Sequence, residues 1–374
     1  MSESARPIDK LATIARAEVR LLGLPTRRSL ATAHDNEPAP DRQLVVVGIE
    51  TADGVMGWGE CSALNAPTYT HEWAADSFDR LAAWISGGPQ TDPATHPMAA
   101  AAIEMALLDA ELRTQGVSLA QSLGATRTTV RAGATIGLHS VADSVATARQ
   151  LVEAGYRKLK VKIDPTQVDA VPHELTHAFE GRDSDPIEVH VDANGSLSEE
   201  HLMGLLGLTW HGVSVIEQPF PIDRPDLAAE LLLGTEARVV ADEAVTTIAD
   251  AQALLDAGAL RGVAIKPPRV GGLTAAQELL AWCQTNRVDA SLGGMLECGL
   301  GRHALAAIGA LDGFTITGDL SPASQWLTED PWPDIEMVGP DIVVPTTPGV
   351  APLPDHTLLD RLTLQKADSV NPLR

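Results

Sequence analysis

The 374-residue chain carries 50 Asp and Glu against 27 Lys and Arg, a formal net charge of −23. That excess of acid, with no basic stripe anywhere, excludes nucleic acid and an anionic membrane surface as partners. Cys61, Cys283 and Cys298 are too few and too scattered for a disulfide framework or a zinc site and fit a reducing cytoplasm, while neither a signal-peptide core in MSESARPIDK nor an apolar run of ~18 residues argues for export or membrane spanning.

In chain order, a strand-like segment from Ala17 to Leu24, a polar stretch from Pro25 to Arg42 rich in Pro and Asp, a second strand from Leu44 to Glu50 and the segment VMGWGE predict a small antiparallel sheet. Helical periodicity follows in HEWAADSFDRLAAWI and in HPMAAAAIEMALLDAELRTQG, which stops at Gly116. From about residue 128 short apolar strands alternate with helical segments. The strands are VRAGATIG, RKLKVKI, IEVHVDA, VSVIEQP, ARVVADE, GVAIKPP, VDASLGG and, more weakly, FTITGD. Seven or eight β/α units predict an α/β fold closed into a TIM-type (β/α) barrel. An open doubly wound sheet is the competing architecture, but neither GxGxxG nor GxxxxGK[ST] occurs. The expected division is an α+β capping domain over 1–127, a barrel over 128–325, and a Pro-rich segment over 326–374 that returns to the cap.

Three carboxylates end three successive strands: Asp192 in EVHVDANG, Glu217 in VSVIEQPF and Asp242 in RVVADEAV, each 25 residues from the next. Barrel active sites lie at that end of the strands. Three acids converging there repel one another unless a cation holds them, which points to a hard divalent metal with oxygen ligands, Mg²⁺ foremost and Mn²⁺ as a substitute. Lysines bracket the set. Lys158, Lys160 and Lys162 alternate along one strand and so share a face, and Lys266 ends a later strand. A strand-end Asp is often only a turn or helix cap, and it is the regular recurrence beside lysines that marks a site.

The ordered motifs KLKVK, VDAN, IEQP, ADEA, IKPPRVGG and GGMLECGLGR, with GWGECSALNAPTYTHE before them and GDLSPAS after, resemble the enolase superfamily and, within it, the muconate-lactonizing subgroup. The likeness runs from about Ile14 to Pro354. It implies that Asp192, Glu217 and Asp242 bind Mg²⁺ and that Lys162 and Lys266 are acid/base residues on opposite faces of a small carboxylate substrate. Enolase-superfamily sites with a Lys base and Mg²⁺ are themselves a stock example of this chemistry. A proton α to a carboxylate is weakly acidic, and an amine removes it only where fixed positive charge meets the resulting dianion. Lys160, on the same face as Lys162, is expected to help hold the substrate carboxylate and to disfavour protonation of Lys162.

Further candidates carry less weight. Tyr69 in the NAPTYTHE loop, Thr135 in GATIG, Asn194, Gly294 and Met295 are expected to line the substrate pocket. Asn194 can equally shape the turn ANG. Glu243 is expected in a structural salt bridge, Glu297 as loop support, His190 as a satisfied core residue, and Lys158 near the barrel bottom or a solvated edge. Arg269 is similar to an arginine of racemase-competent relatives. The resemblance implies o-succinylbenzoate formation, with N-acylamino acid racemisation as the runner-up and muconate cycloisomerisation behind it; a catalytically silent barrel serving as a scaffold is the alternative from another class. A homo-oligomer is left open.

Overall fold

The computed structural model describes residues 14–27, 31–32, 41–89, 91–182 and 185–370. Most of the polar Pro25–Arg42 stretch and the N-terminal segment MSESARPIDK lie outside these residues. Strands β1 (Ile14–Pro25), β2 (Asp41–Thr51) and β3 (Met56–Cys61) form an antiparallel meander, and β14 (Thr363–Val370) pairs antiparallel with β1, giving the order β14-β1-β2-β3. The C-terminal segment thus returns to the cap as a fourth strand.

The two faces of this sheet go to different cores, as the period of two demands. Val19, Leu21, Val45 and Val47 pack with helices α1 (Ala74–Ile85) and α2 (Pro97–Gln115), whereas Leu22, Leu24, Leu44 and Val46 join the main core shared with the barrel. Helix α1 buries Ala74, Phe78, Leu81 and Ile85, spaced three and four apart. Helix α2 ends at Gly116, which caps it in the left-handed conformation.

The second unit is a seven-stranded, all-parallel sheet in sequence order: β5 (Ala134–Ile136), β6 (Lys158–Lys162), β7 (Glu188–Asp192), β8 (Val213–Glu217), β9 (Arg238–Ala241), β10 (Gly262–Ile265) and β11 (Asp289–Leu292). The segment expected as one strand, VRAGATIG, is two. β4 (Thr129–Arg131) pairs with β13 (Asp341–Val343), which pairs in turn with β12 (Met337–Val338), and only β5 enters the barrel. Gly133 makes the step between them, where a Cβ would collide with the Gly318 carbonyl.

FTITGD does not form a regular strand, yet it does an eighth strand's work. Ile316 bridges Ser291 in parallel, Asp319 N–H donates to the Leu292 carbonyl at 2.9 Å, and Gly133 N–H donates to the Leu320 carbonyl at 2.9 Å. One irregular stave therefore hydrogen-bonds to both edges of the seven-stranded sheet and closes it. No helix among the described residues is long and apolar enough to cross a membrane.

Candidate active site

Strand parity sorts the barrel lumen into levels. At the mouth, Lys162 pairs in register with Asp192, and Asp192 with Glu217. Asp242 follows the end of β9, and Lys266 follows the end of β10. Two residues deeper along each strand come Lys160, His190, Val215, Val240 and Ala264. The last three form a small buried cluster with Ile316, so the lumen beneath the acids is apolar on one side and charged on the other.

Asp192, Glu217 and Asp242 are each buried and offer carboxylate oxygens that lie within 4.8 Å of one another. They stand on or just after three adjacent strands, with a lysine on the strand at either side. Lys162 Nζ donates to Asp192 Oδ2 at 2.6 Å and to Asn194 Oδ1 at 2.7 Å. Lys266 Nζ donates to Asp242 Oδ2 at 2.6 Å. Lys160 Nζ sits below them, 2.9 Å from Glu217 Oε1, 3.2 Å from Asp192 Oδ2 and 2.5 Å from Asp319 Oδ2.

The three carboxylates do not respond alike. Burial pushes the Glu217 carboxyl up to about 8, with Asp192, Asp242 and Asp319 adding to the effect and Lys160 opposing it. Burial would raise Asp242 too, but Arg269 and Lys266 outweigh it and hold that carboxyl below its usual range. Asp192 is likewise held low by Lys162 and Lys160 against burial. For Lys160, burial favours the neutral amine, yet Asp319, Glu217, Asp192 and Asp242 together keep it a cation well above the ordinary lysine range. Lys160 therefore stands beneath the triad as a positive charge. The remaining misfit, a Glu217 carboxyl pushed up among three converging carboxylates, fits a divalent cation with oxygen ligands.

The cap reaches this cluster through one residue. Tyr69 Oη lies 3.1 Å from both Asp242 oxygens, accepts from Lys266 Nζ at 2.9 Å and accepts from Arg269. Lys266 Nζ also lies 4.5 Å from the Tyr69 ring centroid. Arg269 is fully buried and pairs with Asp242. Gly293 gives the Lys266 stem its space, since a Cβ there would lie 2.7 Å from Lys266 Cγ. A cleft of about 390 Å³, lined by Thr68, Tyr69, Asn194, Gln218, Ile222 and Glu243 among others, opens beside these groups.

Not every candidate lies where the sequence reading put it. Thr135 pairs in register with Lys160 and shares its inward face. Asn194 does both jobs weighed for it: its backbone N–H donates to Asp192 Oδ1 at 3.0 Å, and its φ of 47° makes the turn. Gly294 stands beside Glu297 and Arg302. Met295 departs from expectation, packing 4% exposed into the apolar core of the cap. Glu297 accepts the Met295 N–H, in keeping with loop support.

Glu243 makes no ion pair among the described residues and accepts instead from Asn194 Nδ2 at 2.7 Å. Lys158 is not at a solvated edge: it is 1% exposed and bonded to Asp319 at the lower level. His190 is buried and hydrogen-bonds Glu188 at 2.7 Å.

Two residues escaped the sequence reading. Asp319 anchors Lys158 and Lys160; its signal was an acid at the end of the weakest strand candidate. Gln218 takes a φ of 35°, and its Oε1 accepts the N–H groups of Asp242 (2.9 Å) and Ala244 (3.2 Å), setting the turn that follows β9.

Residues 143–355 match the family model described as enolase C-terminal domain-like, and residues 12–124 match the mandelate racemase / muconate lactonizing enzyme N-terminal domain. An o-succinylbenzoate synthase of Geobacillus stearothermophilus is 32% identical over 86% of this chain and 89% of its own length. An N-succinylamino acid racemase of an Amycolatopsis species is 31% identical over 93% and 97%. The crystal structure of an enolase-superfamily member from Listeria innocua superposes with a TM-score of 0.85 at 26% identity, covering 96% of this chain and 99% of that one. With both domains matched, the chain belongs to the mandelate racemase / muconate lactonizing family of enzymes within the enolase superfamily.

Proposed function

We propose that the chain is an o-succinylbenzoate synthase that removes the α-proton of a succinyl-hydroxycyclohexadiene carboxylate and expels the neighbouring hydroxyl, the two together leaving as water. The observation that carries this reading is the placement of Lys162 and Lys266 on the strands flanking the acidic triad, each tied to a different outer carboxylate. The names of relatives at about 30% identity over most of the chain support it.

Asp192, Glu217 and Asp242 would hold Mg²⁺, which when bound supplies the positive charge that makes a proton α to a carboxylate removable by an amine. Lys162 takes that proton from one face and, as an ammonium, returns it to the departing hydroxyl. Lys266, braced by Asp242 and Tyr69, stays cationic on the other face. Lys160 remains charged throughout and offsets the triad from below. Tyr69 ties the cap loop to the mouth, so closing that loop excludes water and orders Lys266 in one event.

Racemisation of N-succinylamino acids is the second reading, favoured by the near-symmetric placement of the two lysines and by the Amycolatopsis relative. In it, Lys162 and Lys266 exchange the roles of base and acid. Parallel assays with the cyclohexadiene substrate and with N-succinylamino acids decide between them. Turnover of the first at a far higher kcat/KM is expected, and turnover of N-succinylamino acids alone would replace the first reading with the second.

A further inference from the structure

Lys162 is held by two acceptors, and one of them is itself held. Asn194 Oδ1 accepts from Lys162 Nζ at 2.7 Å, and Asn194 Nδ2 donates to Glu243 Oε1 at 2.7 Å. Glu243 is otherwise short of work: its Oε2 is buried with no partner, and the side chain forms no ion pair among the described residues although it stands beside a ligand carboxylate. A buried carboxylate oxygen left unsatisfied is costly, so its retention calls for a reason.

We infer that Glu243 is the positioning residue for Lys162, fixing which end of the Asn194 amide faces the lysine and thereby the direction of the amine lone pair. A neutral amine has two N–H groups and one lone pair. With Asp192 Oδ2 and Asn194 Oδ1 each taking one N–H, the lone pair of the neutral amine is left pointing away from both and free to take a proton. A reversed Asn194 would offer its NH₂ to that lone pair and quench the base. Glu243 prevents the reversal, because a carboxylate oxygen accepts from Nδ2 and has nothing to offer Oδ1. Lys266 has no such amide; its Nζ partners are Asp242 and the Tyr69 hydroxyl. The device therefore serves one lysine only.

This rests on the two-lysine reading above, and its signature is one-sided. Glu243→Leu removes the acceptor, whereas Glu243→Gln keeps a carbonyl oxygen for Asn194. In Glu243→Leu, kcat should fall roughly 10–100-fold, as for other supporting partners of a site, with KM within about threefold and Mg²⁺ affinity unchanged. Glu243→Gln should recover only part of the loss, because its carbonyl oxygen accepts from Nδ2 but its NH₂ can also serve a reversed Asn194. Where the protein also acts on N-succinylamino acids, α-proton exchange in D₂O should be lost for the enantiomer served by Lys162 and kept for the one served by Lys266.

Equal loss for both enantiomers, or a Leu variant with unaffected kcat, would overturn the inference while leaving the two-lysine reading intact. Undiminished synthase turnover in Lys162→Ala would instead tell against that reading. A crystal structure of Glu243→Leu decides the positioning claim without any turnover: Lys162 Nζ should lose its contact with Asn194 Oδ1, and an unchanged contact would refute it.

Discussion

Two levels of buried charge stand one above the other in this barrel, and they differ in how their carboxylates are held. At the lower level Lys158 is bonded to Asp319, and His190 to Glu188. Against burial, the hydrogen bond from His190 pushes the Glu188 carboxyl down to about 2, and Lys158 and Lys160 hold Asp319 low as well. At the mouth three carboxylates crowd together and Glu217 is pushed up to about 8. Both levels hold buried groups, so burial alone does not mark a site. The contrast lies in Glu217: of the triad and the lower-level carboxylates it alone is pushed up, whereas Asp192, Asp242, Glu188 and Asp319 are all held low.

The largest expected effect sets two lysines of one strand against each other. Lys162→Met should lower kcat by about 10²–10⁴-fold, the usual range for a general base, with little change in denaturant midpoint. Lys158→Met, four residues earlier on β6, should do the reverse. It leaves Asp319 with half its countercharge in a buried site, a loss of about 3 kcal/mol in unfolding free energy, with kcat of the folded protein little altered. Denaturant melts and single-substrate kinetics on both variants check this, and a Lys158 variant that is stable but inactive would erase the distinction between the levels.

A smaller effect follows from pH. His190 is pushed down to about 4, by burial first and Lys158 second. Between ~6.5, its pKa in the unfolded chain, and about 4, the unfolded chain binds a proton that the fold refuses, so stability falls as pH drops through that window. Glu188 extends the loss from ~4.3 down to about 2, because its folded carboxyl stays ionised where the unfolded one does not. Denaturant midpoints measured from pH 7 to 3 should decline from about pH 6.5 in the unaltered protein and more weakly in His190→Gln. A flat profile would remove His190 from the lower level's balance.

The smallest effect is expected at the cap. Tyr69→Phe deletes a hydroxyl that touches Asp242, Lys266 and Arg269 but leaves every carboxylate in place. It should raise KM several-fold, about 1 kcal/mol for one hydrogen-bonding group, and shift the ratio of synthase to racemase activity more than it shifts Mg²⁺ affinity. Kinetics on both substrate classes with a Mg²⁺ titration read the split.

How much of this was legible in the sequence follows the same division. The mouth was readable because Asp192, Glu217 and Asp242 recur at the period of the β/α unit and the lysines share their parity, so one-dimensional spacing encoded three-dimensional convergence. The lower level was not. Lys158 had the right parity, but its partner Asp319 lies 161 residues away on a stave too irregular to read as a strand. Met295 was misplaced because its motif places the backbone near the mouth and says nothing of where the side chain packs. Glu243 was read by strand alternation, which fails once β9 has ended at Ala241 and Gln218 has begun to dictate the turn.

The account stands or falls on the raised Glu217 carboxyl at the mouth, and calorimetric titration of Mg²⁺ into the metal-free protein tests it most directly. In that form Glu217 holds a proton over much of the range between ~4.3 and about 8, and a cation must displace it. One Mg²⁺ per chain is therefore expected, with release of a proton at pH 7 seen by comparing buffers of different ionisation enthalpy, affinity rising toward pH 8, and binding lost in Glu217→Gln. Binding without proton release, or binding that survives Glu217→Gln unchanged, would contradict the claim that this level of the barrel is built to be completed by a divalent cation.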